Sequence, residues 1–114
     1  MMSGTPEGLG FNGHALRLTG LEIKVVWKLN RRGKYGGSHT SVERIANSFR
    51  SDLRGEAAEA IRELIREQII LSKPTHYGLE ISLNQARVSL IREICAFYEA
   101  NMDRVKDREI HVIA

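Results

Sequence analysis

Residues 73–84, KPTHYGLEISLN, constrain the fold more tightly than any other part of the chain. Pro74 and Gly78 bracket a turn. Behind it, Leu79, Ile81 and Leu83 alternate with Glu80 and Ser82 at the period of a half-buried strand. In front of it runs QIILSK, apolar, rich in β-branched residues and too short for a helix of its own. Two such runs joined through PTHYG predict an antiparallel hairpin with a loop of about four or five residues. Everything around this hairpin is patterned as helix. The expected class is therefore mainly α with one small β-hairpin, an α+β domain.

The helices announce themselves by their caps. In LTGLEIKVVWKLNRRG, Thr19 and Glu22 have the spacing of a capping box, and Leu18 can staple onto Ile23. Leu21, Ile23, Val25, Val26, Trp27 and Leu29 give a broad apolar face. The helix should end at Arg31, Arg32 and Gly33, whose cations suit its negative end. After a connector containing Gly36 and Gly37, SHTSVERIANSF repeats the logic, with Thr40 as cap, Glu43 answering it, and Val42, Ile45, Ala46 and Phe49 inward. RSDL then breaks the pattern, with Ser51 or Asp52 as cap. A third helix follows, with Leu53, Ala57, Ala60 or Ile61, Leu64 and Ile65 inside. Two amphipathic helices this close in sequence make a helix-turn-helix. Beyond the hairpin, Asn84 is placed to cap the longest helix, spanning residues 85–107, and the tail 108–114 alternates weakly. Residues 1–13 hold four glycines and a proline without periodicity and read as a flexible leader.

At 114 residues the chain is one domain's worth. No apolar run approaches the roughly 20 residues that span a bilayer, and no signal peptide is visible, so the expected setting is the cytoplasm without membrane attachment. The single cysteine, Cys95, excludes an internal disulfide. Net charge is only +3, but it is unevenly distributed. Arg31, Arg32, Lys34, Arg44, Arg50 and Arg54 face only Glu43 and Asp52 within their stretch, where a polyanion could be met.

The succession helix, connector, helix, turn, helix, two-stranded wing, helix resembles the winged helix-turn-helix family. The segment that carries the likeness is TSVERIANSFRSDLRGEAAEAIRELIREQIILSKPTHYGLEISLN, within a domain expected over residues 14–84. The resemblance implies a DNA-binding transcriptional regulator whose third helix enters the major groove while the wing touches the backbone or minor groove beside it. Carried onto this sequence, the implied contacts with double-stranded DNA are Arg50, Ser51, Arg54, Glu59, Arg62, Lys73, Thr75, His76 and Tyr77. It also implies a homodimer joined through the last helix. That helix's stripe is wide enough for Leu90, Ile94 and Phe97 to face inward while Val88, Ile91, Cys95, Tyr98, Met102 and Val105 face a second subunit.

Simple chemistry supports part of that contact set. A helix start offers unpaired N–H groups to a phosphate, Arg54 adds a bidentate donor, and cations at a hairpin tip reach phosphates without exposing apolar surface. The third helix, however, carries Glu56, Glu59, Glu63 and Glu67, which repel phosphates. Contacts are therefore expected from its first turn, the preceding loop and the wing, with the acidic distal half turned away. Those same glutamates give the alternative reading, a protein-interaction module that meets a basic partner without DNA. Against the wing stands an ordinary hairpin loop with Tyr77 folded onto the core.

Enzymatic chemistry is not expected. Gly33, Gly36 and Gly37 lack the lysine and hydroxyl of a nucleotide loop, and His14, His39, His76 and His111 are scattered without metal-ligand spacing. Cys95, inside an apolar stripe, reads as a small buried hydrophobe with no base to activate it. Neither metal nor cofactor is expected, and an effector is left open.

Overall fold

The computed structural model describes residues 9–11, 14–16 and 18–101. In chain order these form β1 (Leu9–Phe11), β2 (His14–Leu16), α1 (Gly20–Arg31), β3 (Thr40–Ser41), α2 (Val42–Ala46), α3 (Arg54–Arg66), β4 (Ile70–Thr75), β5 (Gly78–Leu83) and α4 (Val88–Ala100). Short 3-10 turns, Ser51–Leu53 and Gln85–Arg87, lead into α3 and α4. The architecture is mixed α+β, with four helices and a small three-stranded antiparallel sheet.

α1 forms as its caps dictate. Thr19 accepts from the Glu22 amide at 3.1 Å and Glu22 accepts from the Thr19 amide at 2.8 Å, closing the capping box. Such a box is worth about 1 kcal/mol. The far end closes as a Schellman motif, with Lys34 N–H donating to Leu29 C=O and Gly33 N–H to Asn30 C=O, each at 3.0 Å. Gly33 supplies the left-handed φ of +64° that this needs. α3 ends in the same way, through Ile69 N–H to Leu64 C=O and Gln68 N–H to Ile65 C=O. There the left-handed residue is Gln68, at φ +62°.

Two caps differ from the sequence expectation. Thr40 does not cap α2, because it is already paired as a strand residue opposite Ile81, and Ser41 takes the role by accepting from Arg44 N–H at 3.0 Å. Neither Ser51 nor Asp52 caps α3. The chain enters through a 3-10 turn with no side-chain cap, and the Asp52 carboxylate pairs with Arg50 at 3.3 Å. The helix of residues 85–107 begins as a 3-10 turn capped by Asn84, which accepts from Ala86 N–H, and its described part ends at Ala100. The leader expected over residues 1–13 is not wholly without structure, since β1 pairs antiparallel with β2, Leu9 opposite Leu16 and Phe11 opposite His14.

The hairpin forms with a tighter turn than expected. Thr75 pairs with Gly78, leaving only His76 and Tyr77 in the loop, and Pro74 lies inside β4 opposite Leu79. β4 is an edge strand, where a proline is tolerated because its missing N–H has no ladder bond to make. The sheet order is β3-β5-β4, so the hairpin is not isolated. β3 pairs with β5 at Thr40 opposite Ile81 and Ser41 opposite Glu80. Along the same edge the connector is tied down by Leu83 N–H to Lys34 C=O at 2.7 Å and Gly36 N–H to Leu83 C=O at 3.3 Å. Ile70, Ile81 and Leu83 point inward onto a core built with Leu21, Ile23, Val25, Val26 and Leu29 of α1 and Leu53, Ala57, Ile61 and Leu64 of α3 and its lead-in turn.

α4 corrects the expected division of its stripe. Ile91, Cys95 and Tyr98, assigned to a second subunit, are buried in the chain's own core together with Leu90 and Ile94, while Phe97 is only partly covered. α4 packs on α1, and Tyr98 meets Trp27 with ring centroids 4.7 Å apart. Both edges of the stripe are thus taken up largely within the chain. Val88 is half-buried, and Met102 and Val105 lie outside the described residues.

Candidate functional site

Pairing β3 and the connector onto β5 has an electrostatic consequence. It draws Arg32 from the end of α1, Lys34 and His39 from the connector, Thr40 and Ser41 from β3, Arg44 from α2 and Glu80 from β5 around one open groove of about 750 Å³. Three fixed cations and an imidazole face one carboxylate there. None of Arg32, Lys34 and Arg44 forms an ion pair among the described residues. Arg32 and Arg44 are exposed and Lys34 is half-buried.

The groove continues onto the hairpin. Residues opposite one another in a sheet share a face, so Ser41, Glu80 and Lys73 form a row across the outer side of β3, β5 and β4. Lys73 therefore adds its charge beside the groove and offsets Glu80. About 10 Å further along β5 lies the tip, three residues away at strand spacing. The tip is held by Thr75, whose hydroxyl donates to Gly78 C=O at 2.7 Å and accepts from Tyr77 N–H at 3.2 Å. Gly78 adopts φ +119° to close the turn. Tyr77 is 99% exposed, so it is not folded onto the core. Lys73, Thr75 and His76 are exposed with it.

The residues expected around the third helix fare differently. Arg50, Ser51 and Arg54 are exposed at the start of α3, with Arg50 shared with Asp52. Arg62 is held by Glu59 at 2.7 Å, and Arg66 is held by Glu63 in the same i, i+3 relation. Exposed pairs of this kind stabilise little, about 0–1 kcal/mol, but they neutralise the cations a polyanion would use. The acidic residues are not gathered in the distal half of α3. Glu56, Glu59 and Glu63 line one flank of the helix with Ala60, and together with Thr19, Leu21 and Glu22 of the α1 start they form a second groove of about 270 Å³. Burial, with Glu63 and Glu67 nearby, pushes the Glu22 carboxyl above its usual range, against the pull of its hydrogen bonds from Thr19. α3 thus sets acid toward α1, and the cations of the connector and α2 lie against β5.

The sequence reading missed Arg32, Lys34, His39 and Arg44 as members of a site with the hairpin. The basic run was visible, but nothing in the spacing of residues 32–44 announced that β3 would pair with β5. Cys95 is buried, and that burial, with Glu99 nearby, pushes its thiol up to about 11, which disfavours the thiolate. No helix among the described residues is long and apolar enough to cross a membrane.

No known protein family, curated protein or solved structure matches the chain. The class that fold and groove define is a mixed α+β domain carrying a basic groove beside an exposed hairpin.

Proposed function

We propose that this domain is a winged helix-turn-helix that binds double-stranded DNA and acts by occupying it, as a transcriptional regulator does, without chemistry. Three features support the fold assignment. α2 and α3 follow each other through a short turn, the β4–β5 hairpin comes directly after α3, and a short strand between α1 and α2 pairs with β5, the strand nearer in space to α2. One observation carries the functional reading: Arg32, Lys34, His39 and Arg44 converge on the sheet face that also bears Lys73, next to a solvent-exposed hairpin tip. Clustered cations on one face, backed by a rigid scaffold, are the footprint of a phosphate-backbone site.

In this reading the groove and the wing residues Lys73, Thr75, His76 and Tyr77 make the main contacts, and Arg50, Ser51 and Arg54 make secondary ones. Glu59 and Arg62 satisfy each other and contribute little. The reading does not depend on a dimer, since the described residues of the expected seam are largely buried within the chain.

Chromatography on heparin or random duplex DNA tests it. The domain should be retained at low salt and released by moderate salt. Flow-through at low salt refutes DNA binding. It would favour the rival reading of a protein-interaction module, for which the groove lined by Glu22, Glu56, Glu59 and Glu63 is the supporting observation.

A further inference from the structure

We propose that Tyr77 is a stacking finger for an unpaired base, so that the preferred ligand is DNA with a single-stranded end or junction rather than an uninterrupted duplex. This inference rests on the nucleic-acid reading above and narrows it.

The ring is placed where it gains nothing from its own fold. At 99% exposure it buries almost no area, and its hydroxyl makes no hydrogen bond among the described residues. Its backbone, by contrast, is tied into the hairpin. A two-residue loop closes a ladder of six residue pairs, and Thr75 ties the turn on both sides through its hydroxyl. A ring carried on a fixed backbone loses little freedom when it is covered by a partner, because only two side-chain torsions remain to be ordered.

The surroundings decide which partner suits it. Lys73, Arg44, Lys34 and Arg32 supply positive charge on the sheet face behind the tip, with His76 next to the ring. A cationic track that ends in an exposed aromatic is how proteins grip single strands, since the track follows phosphates and the ring covers a base face. Inside a duplex each base face is already covered by its neighbours, so a ring on a hairpin tip would meet only sugar and phosphate. An unpaired base offers the face that is otherwise missing. Along the body of α3 the outer cations Arg62 and Arg66 are paired with Glu59 and Glu63, which leaves that helix only the secondary contacts at its start. Glu80, the one carboxylate on the track, can accept from a base amino group.

The test compares a blunt duplex with the same duplex carrying a short single-stranded tail whose first unpaired base is 2-aminopurine, using the full chain and its Tyr77→Ala and Tyr77→Phe variants. Because the side chain is exposed, both variants should melt with the wild type. Tyr77→Ala should lose roughly five- to 150-fold in affinity for the tailed duplex, the range expected for one stacked base. It should also lose the quenching of 2-aminopurine fluorescence, while its affinity for blunt duplex, where the ring meets only sugar and phosphate, falls by much less. Tyr77→Phe, which keeps the ring, should behave as wild type on both. Equal losses by Tyr77→Ala on the two substrates, or no loss on either, overturn the stacking role and leave DNA binding standing. Failure of the wild type to bind either substrate at low salt overturns both proposals.

Discussion

Removing the groove's charge is the most informative perturbation. Arg32→Ala, Lys34→Ala and Arg44→Ala, singly and together, take away three cations that make no ion pair among the described residues. Each cation that neutralises a phosphate adds about 0.9 to the slope of log affinity against log salt on duplex DNA. The triple variant should therefore flatten that slope by about 2.7. Between roughly 50 and 200 mM salt this corresponds to about 40-fold less salt-induced loss of affinity than in the wild type. Arg32 and Arg44 are exposed and Lys34 half-buried, so substitution should move stability by less than about 0.5 kcal/mol and the melting temperature by less than about 4 °C. Fluorescence anisotropy on a labelled random duplex at four or five salt concentrations measures the slope. A triple variant with the wild-type slope would refute the groove as the backbone site. A larger effect from Arg54→Ala with Arg62→Ala would return the interface to the third helix.

Three further outcomes follow from local physics. Glu22 holds its proton to higher pH in the folded chain than in the unfolded one, so the stability linked to its protonated form is present below about 4.5 and is lost as pH rises through the raised folded value. Glu22→Gln keeps an acceptor for the Thr19 amide and has no charge to lose. It should melt higher than wild type at pH 7, with the difference shrinking toward pH 4, and a lower melting temperature at pH 7 would show that the charged hydrogen bond outweighs desolvation. Gln68 sits at φ +62° with its own carbonyl bonded to the Asn84 side chain, so Gln68→Gly should relieve backbone strain and stabilise by about 0.5–1 kcal/mol in urea unfolding. Gly78→Ala places a Cβ in open space but on a backbone at φ +119°. It should destabilise by about 1–3 kcal/mol and weaken DNA binding with it, as measured by thermal unfolding and anisotropy.

The helices were legible because the forces that make them are local. The Thr19 and Glu22 box, the apolar spacing of Leu53, Ala57, Ile61 and Leu64, and the glycine after Arg32 act within one or two turns, and the structure keeps each of them. The hairpin was legible from the alternation of Leu79, Ile81 and Leu83. Its turn length was not, because Pro74 reads as a breaker until β4 is known to be an edge strand. The β1–β2 ladder carried a signal that glycine content hid: Asn12 and Gly13, between the paired segments, are the dipeptide favoured in two-residue hairpin loops.

What the sequence by itself determined is thus the four helices and the β4–β5 hairpin, their order and the presence of excess positive charge between residues 31 and 54. Only the tertiary structure decided which of those charges belong together. Two residues, Thr40 and Ser41, leave local helix signals to pair with a strand some forty residues later, and that long-range pairing sets Arg32, Lys34, His39 and Arg44 against the hairpin. The same packing turned Ile91, Cys95 and Tyr98 from an expected seam into core. A periodic pattern specifies which face of an element is apolar. Which surface covers that face depends on contacts between residues far apart in the chain, and those exist only once it has folded.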